Sequence, residues 1–410
     1  MFLFVISVVV LVYLFELFLG IKNYLQKDLP LPDNVKGIYD EEAYSNWRKY
    51  RAEVFRFGLI VDAVQFVILL SLLVLGGFAY LFESVSSLTD SSLLQTLFFL
   101  GIYQGVMMIV SLPFKYYAQF SIEERYGFNK MTQKTFISDT LKAFILGALF
   151  GGGIIALLHT VYVTFEDSIV LFVGVSWVVL MAIILIMSYL YTRVFIKIFN
   201  KLSPIEEGSL KEKINELAER VGYKIRGIYT MDASKRSTKL NAFFSGFGKN
   251  KEVVLFDTLI EKLSEEEVLA VLAHELGHAV HKDVTKLMVG QAIMFAVYAS
   301  LIAVVLSSDT LAIAFGLKEA TFGFSIILFM ILITPVNIVL GLPIHYVSRK
   351  FEYKADAFSA KYVNHETMIS ALKVLVNENY ADLNPHPLYV FVYYTHPAPS
   401  KRLKALSDLA

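Results

Sequence analysis

Apolar positions along this chain fall into two regimes. In seven stretches they run almost uninterrupted: 2–20, 57–82, 94–113, 143–164, 170–191, 288–306 and 322–346. A helix rises about 1.5 Å per residue, so runs of about 20 residues match the roughly 30 Å hydrocarbon core of a bilayer. Between the fifth and sixth runs the pattern becomes periodic. Leu210, Ile214, Leu217 and Val221 recur at helical spacing and predict an amphipathic helix ending at Gly222. Its start reads as a capping box, with Ser203 as N-cap, Pro204 at the first helical position and Glu206 completing it. Residues 223–231 and 253–256 then read as strands, with 241–245 a third between them. Ser264-Glu265-Glu266-Glu267 is a further capping box, and Val268, Leu269, Val271 and Leu272 supply the apolar surface of the helix it opens.

Composition agrees with the long runs. Hydrophobic residues make up 56% of the 410 positions, and the mean hydropathy is +0.57, outside the range of soluble globular proteins. The first run has no basic residue before it and no small-residue cleavage site after it, so it reads as a span and not a removed leader. Net charge is zero, no basic aromatic patch occurs, and nucleic acid is excluded as a partner. Cysteine is absent, which rules out disulfides and thiolate-bound zinc and leaves His and carboxylates as metal ligands.

Charge then orients the spans. Residues 21–56 carry Lys22, Lys27, Lys36, Arg48, Lys49, Arg51 and Arg56, and residues 115–142 carry five Lys or Arg. The alternate connections 83–93 and 165–169 carry none, and 307–321 has only Lys318. The positive-inside rule puts the N-terminus outside and residues 192–287 and 347–410 together on the cytosolic side. Two features inside the spans stay open. Asp62 is either near Arg56 at the interface or faces a wet cavity, and Gly147, Gly151, Gly152 and Gly153 read as a close helix-packing stripe.

The chemistry concentrates at Ala273-His274-Glu275-Leu276-Gly277-His278. Two His four apart on a helix lie about 40° apart around the axis and about 6 Å along it. That spacing presents two imidazoles to one Zn²⁺, with Glu275 between them as general base for an activated water. Gly277 costs about 1 kcal/mol in a helix interior, which close approach of backbone or substrate would justify. His281 is a rival ligand, read here as a surface or supporting residue. A third ligand must return to the same face. After two spans the chain does so at Ser348-Arg349-Lys350-Phe351-Glu352-Tyr353-Lys354-Ala355-Asp356, where Glu352 is the candidate ligand and Asp356 an acceptor for a His ring N–H. The alternative is that both acids form surface pairs with Arg349 and Lys350.

With His274-Glu275-Leu276-Gly277-His278 and Phe351-Glu352-Tyr353-Lys354-Ala355-Asp356 in view, the chain resembles the M48 family of integral-membrane zinc metalloproteases, in its Ste24-type CAAX prenyl protease 1 branch. Ser234-Lys235-Arg236-Ser237, Asn241-Ala242-Phe243-Phe244, Gly127-Phe128-Asn129-Lys130 and Thr395-His396-Pro397 carry the resemblance over nearly the whole length. It implies one Zn²⁺ per chain on His274, His278 and Glu352, with Glu275 as base. It also implies seven helices enclosing an intramembrane chamber, capped by a cytosolic α+β catalytic domain. Asn241, with Ala242 and Phe243, matches the substrate-binding edge; His396 matches a transition-state stabiliser supported by Arg402. The sequence departs from the family at Thr238-Lys239-Leu240, where His and Ser often stand. His345, His365 and His386 are read as structural or surface residues.

The expected organisation is 1–197 for spans one to five, 198–287 for the catalytic segment, 288–346 for spans six and seven, and 347–410 for the tail that completes the site. The expected activity is cleavage near the C-terminus of a peptide or prenylated protein, in a bilayer. An HtpX-like quality-control protease is the alternative, and a transporter or scaffold with structural zinc a more distant one. The tail Ser407-Asp408-Leu409-Ala410 carries no ER-retention signal, from which a prokaryotic cell-membrane member is expected, or an ER protein if the source is eukaryotic.

Overall fold

The computed structural model describes residues 1–245 and 251–409. Among the described residues, seven helices are long and apolar enough to span: α1 Phe2–Gln26, α2 Glu41–Val74, α3 Ser92–Glu123, α4 Gln133–Thr164, α5 Ile169–Phe199, and, further along, Asp283–Leu306 and Phe322–Tyr362. The second expected span is shorter than its apolar run. Gly76 adopts φ +72°, which ends α2 and starts a separate helix, Gly77–Ser86.

Residues between α5 and the last two spans form a four-stranded sheet of β1 Leu202–Pro204, β2 Ile225–Met231, β3 Ala242–Ser245 and β4 Lys251–Phe256, in the order β1-β2-β4-β3. β2 and β4 are parallel; β1 and β3 pair antiparallel at the two edges. The expected N-terminus of the amphipathic helix was misplaced. Ser203 and Pro204 belong to β1, opposite Thr230 and Tyr229, and helix α6 begins only at Ser209 (Ser209–Val221). Proline suits an edge strand, where its missing N–H is not needed, and the apolar periodicity itself starts at Leu210. Gly222, at φ +70°, does end the helix.

The capping box at Ser264 forms as read: its side chain accepts from the Glu267 N–H and its own N–H donates to the Glu267 carboxylate. It starts α7, Glu265–Val280. Lys282, at φ +56°, breaks the chain from α7 into α8, Asp283–Leu306. The return span, α9 Phe322–Tyr362, is one unbroken helix of 41 residues. It continues well past its apolar part, and α7 packs along this extension. Ser359 Oγ donates to the Ala270 carbonyl at 2.7 Å. A Cβ at Gly277 would meet Ala355 Cα at 3.2 Å and Phe358 Cβ at 3.1 Å, so the glycine is there to let two helices touch. The chain closes with α10 His365–Glu378, α11 Pro387–Tyr393 and α12 Pro399–Ser407. A core of Leu255, Leu259, Val268, Leu272, Leu276 and Leu372 fastens sheet, α7 and α10 together.

Within the bundle lies a cavity of about 1950 Å³. α1, α2, α3, α4 and α9 line it, and its polar lining includes Glu16, Asp62, Gln65 and Gln104. Asp62 therefore faces the cavity and not Arg56. The glycine stripe also turns out otherwise than expected. Gly147, Gly151, Gly152 and Gly153 line the same cavity, and a Cβ at any of them would meet no atom within 4 Å. They widen the chamber and pack against nothing. Gly277→Ala is therefore expected to lower stability by roughly 1–2 kcal/mol through overpacking, despite alanine's better helix propensity. Gly151→Ala, by contrast, should be neutral or stabilising by up to about 1 kcal/mol. Thermal unfolding of both variants in detergent reads the two signs.

Candidate active site

α7 and the extension of α9 lie side by side, and their facing turns bring three side chains together. One ligand atom from each of His274, His278 and Glu352 lies within 4.8 Å of the other two. His274 Nε2 and His278 Nε2 are 3.3 Å apart. Glu352 Oε2 is 3.4 Å from the first and Oε1 is 3.2 Å from the second. Tetrahedral Zn²⁺ with ligands at about 2.0–2.2 Å spaces them by about 3.3–3.5 Å, so the His–His spacing fits one such ion, with each Glu352 oxygen at a comparable distance from one of the two rings.

The atoms behind these ligands sharpen the fit. His274 Nδ1 is 2.9 Å from Asp356 Oδ1, and His278 Nδ1 is 3.0 Å from Asp283 Oδ2. A ring N–H donated to each carboxylate leaves a bare lone pair on each Nε2. Two such lone pairs 3.3 Å apart, aimed at a buried carboxylate whose Oε2 has no hydrogen-bond partner among the described residues, repel one another unless a proton or a metal cation sits among them. The electrostatics point the same way. Burial lowers the His274 pKa, but Asp356 and Glu352 outweigh it and raise it to about 9 in the metal-free protein. His278 also rises, against burial, through its bond with Glu352. The donor set is one that demands positive charge.

The two expected acids do not form surface pairs. Glu352 is 4% exposed and Asp356 1%, and Arg349 is occupied elsewhere. Its guanidinium donates to the carbonyls of Val390 at 3.0 Å and Tyr394 at 2.6 Å, at the C-terminal end of α11. His345 Nδ1 donates to the Val392 carbonyl at 2.7 Å. These two residues hold α11, and the chain leaving it presents His396, whose Nε2 is 3.3 Å from Glu352 Oε1. Arg402 on α12 reaches in from the other side. It forks onto Asp356 at 2.9 and 2.6 Å and comes within 3.6 Å of Glu352 Oε2.

Glu275 stands between the two His on α7, and burial raises its carboxyl pKa above the ordinary range, with Glu352 adding to the rise. His281 packs edge-on against Phe358 at 5.6 Å and takes no part in the cluster. Asn241, exposed at the start of β3, holds the Ala242 N–H with its own side-chain oxygen at 2.9 Å. Ala242 is buried and Phe243 half-buried. β3 is an edge strand beside α7, with β4 its one strand neighbour among the described residues. Asp283 is the residue the sequence reading missed. It stands five positions past His278, beyond the break at Lys282, and is 2% exposed. An acid opening a membrane span directly after the His pair was the available signal; helical spacing could not find it, because the helix does not continue.

Comparison with known proteins accords with this geometry. Residues 204–410 match "Peptidase family M48" and residues 20–201 match "CAAX prenyl protease N-terminal, five membrane helices". The CAAX prenyl protease 1 homolog of Oryza sativa subsp. japonica is 33% identical, with 98% of this chain and 96% of that protein aligned. CAAX prenyl protease 1 of Saccharomyces cerevisiae is 30% identical over 96% of this chain and 92% of its own length. The crystal structure of S. mikatae Ste24p superposes with a TM-score of 0.93 at 28% identity, covering 99% of this chain and 98% of that one. These relatives are eukaryotic, so the reading of the tail as prokaryotic is withdrawn; a missing C-terminal signal says nothing of source. With its spans, its His-Glu-x-x-His helix and these matches over both halves, the chain belongs to peptidase family M48 and is a multi-pass membrane metalloprotease.

Proposed function

We propose that this chain is a zinc endopeptidase that cleaves near the C-terminus of prenylated protein or peptide substrates, with the catalytic face and the C-terminus cytosolic. One observation carries the metal chemistry: three ligand atoms within 4.8 Å of one another, each His braced from behind by a buried carboxylate. His274, His278 and Glu352 would hold one Zn²⁺, leaving a position open for substrate or water. When bound, the metal supplies Lewis acidity to a peptide carbonyl and lowers the pKa of a water toward about 7.

The chain's own residues do the rest. An extended peptide pairs with the free edge of β3, and Asn241, Ala242 and Phe243 lie along it, so the scissile amide runs beside α7. Glu275 takes a proton from the attacking water as the new C–O bond forms. It returns that proton to the amine nitrogen as the C–N bond breaks. His396, held by α11 beside Glu352, donates a hydrogen bond to the carbonyl oxygen as it becomes negative. Arg402 fixes Asp356, which fixes His274, while Asp283 fixes His278.

The substrate reading draws on the relatives' names and on the cavity. A chamber of about 1950 Å³ with open glycine walls has room for an isoprenoid chain. The match of residues 20–201 to a CAAX prenyl protease N-terminal region favours this reading over the HtpX-like one.

Glu275→Gln is expected to keep its zinc and lose turnover by roughly 10²–10⁴-fold, while His274→Ala loses both. Zinc analysis beside a peptidase assay checks this, and full activity in the Gln variant would refute the mechanism. Asp283→Ala should weaken zinc binding by roughly 10–100-fold, read by chelator competition. For the substrate, mass spectrometry of products from prenylated and unprenylated versions of one peptide is the decisive comparison. Preferential cleavage of the prenylated form is expected, and equal cleavage removes the lipid-directed reading while leaving the protease intact.

A further inference from the structure

α2 has two faces with different company. Gly58, Asp62, Phe66 and Leu69 line the chamber. At 100° per residue, Lys49, Glu53, Arg56 and Ile60 lie on roughly the opposite side of the helix. These four line a second concavity, a groove of about 870 Å³ that opens away from the chamber. Its other wall is the end of α1, with Tyr24 and Lys27, and Tyr117 of α3 closes it. The walls are fixed to one another. Tyr24 stacks on Phe55 at 4.4 Å, and Tyr44 donates to the Lys27 carbonyl at 3.3 Å.

The charges in this groove do not cancel. Lys27 and Arg48 share the single carboxylate of Asp28, and Glu41 is the lining's other acid besides Glu53. Glu53 is turned to Arg125 and also accepts from the Tyr126 hydroxyl at 3.1 Å. Lys49 and Arg56, both exposed, form no ion pair among the described residues. They stand two helical turns apart, about 10 Å, on one face. Below Arg56 the lining becomes apolar. Phe57 begins the apolar run of α2, and Ile60 is 56% exposed.

We propose that this groove binds an anionic phospholipid, its phosphate and headgroup between Lys49 and Arg56 and an acyl chain along Phe57 and Ile60. A diffusible anion would use the cations and leave the apolar floor wet; a neutral lipid would use the floor and leave two cations unmatched. Only an amphiphile with negative charge at the boundary uses both. Tyrosines at the rim suit that depth, where an amphipathic ring meets the headgroups. The positive-inside tendency explains why cations gather at this end of α2. It does not explain a concavity in which two of them lack a carboxylate while their neighbours are paired.

Each basic side chain near an anionic surface contributes about a factor of five, so two give a roughly 25-fold preference over a zwitterionic lipid. The test uses the full chain in nanodiscs of phosphatidylcholine with a minor share of phosphatidylserine. Lipids retained on extraction into mild detergent are counted by native mass spectrometry. Wild type is expected to retain phosphatidylserine roughly 25-fold over its bulk ratio, and the Lys49→Gln/Arg56→Gln double variant to retain it at the bulk ratio. Thermal unfolding in pure phosphatidylcholine verifies that the double variant is folded. If it is not, the single Arg56→Gln variant carries the comparison. No enrichment in the wild type, or undiminished enrichment in the folded variant, overturns the proposal. Displacement of the lipid by millimolar inorganic phosphate would also overturn it, by making the groove a site for soluble anions.

Discussion

Two carboxylates buried within one turn of a helix are costly unless positive charge surrounds them, and this requirement organises the site. Glu352 and Asp356 lie on α9 just beyond the membrane, almost wholly shielded from water. Removing one partner from a buried ion pair typically costs about 3–5 kcal/mol, because the other charge is left uncompensated. Separate parts of the chain therefore have to converge. α7 brings His274 and His278 and α12 brings Arg402 as the positive partners, while the segment after α11 brings His396, whose pKa burial lowers, as a polar neighbour and not a charge. The site is a meeting of charges that none of these elements could bury alone.

Convergence depends in turn on how closely α7 and α9 approach. Gly277 removes the side chain that would hold them apart, and Ser359 ties the two backbones with one hydrogen bond. Lys282, in a left-handed conformation that a non-glycine residue adopts at some cost, ends α7 so that Asp283 folds back under His278. A continuous helix from α7 into the sixth span would carry Asp283 about 140° around the axis from His278 and further still from His274. The same break redirects the chain into the bilayer. The candidate metal site and the entry into the membrane thus share one strained residue.

The bundle serves a different need. Its glycines leave the chamber wall open where a tightly packed helical bundle would have interlocked side chains, and carboxyl and amide groups such as Glu16, Asp62 and Gln104 give the lining a polar share. A membrane protein has little hydrophobic drive to close such a space, since lipid is as apolar as the helix surface. The cavity can persist because the spans are braced at their ends. At one end Phe78, Phe99 and Phe324 pack together. At the other, Tyr39, Trp47, Tyr50 and Phe128 close round Tyr380.

Sequence by itself determined what is local or periodic. Seven apolar runs, the capping box at Ser264, three of the four strands of the sheet and the pair His274 and His278 follow from spacing, because helix and strand periods are fixed by backbone geometry. Glu352 was legible through topology: two spans after the motif return the chain to the same face. What only the tertiary structure decided lies where the period breaks or where neighbours are distant in sequence. Spacing put Pro204 at a helix start, and pairing with Tyr229 made it an edge strand. Glycines 147–153 looked like a packing stripe, and their surroundings proved empty. Asp283 was invisible because the backbone reverses at Lys282, and the alternative pairing of Glu352 with Arg349 fell away only because α11 offers Arg349 its carbonyls. Periodicity says which face a residue occupies; only the fold says what stands opposite that face.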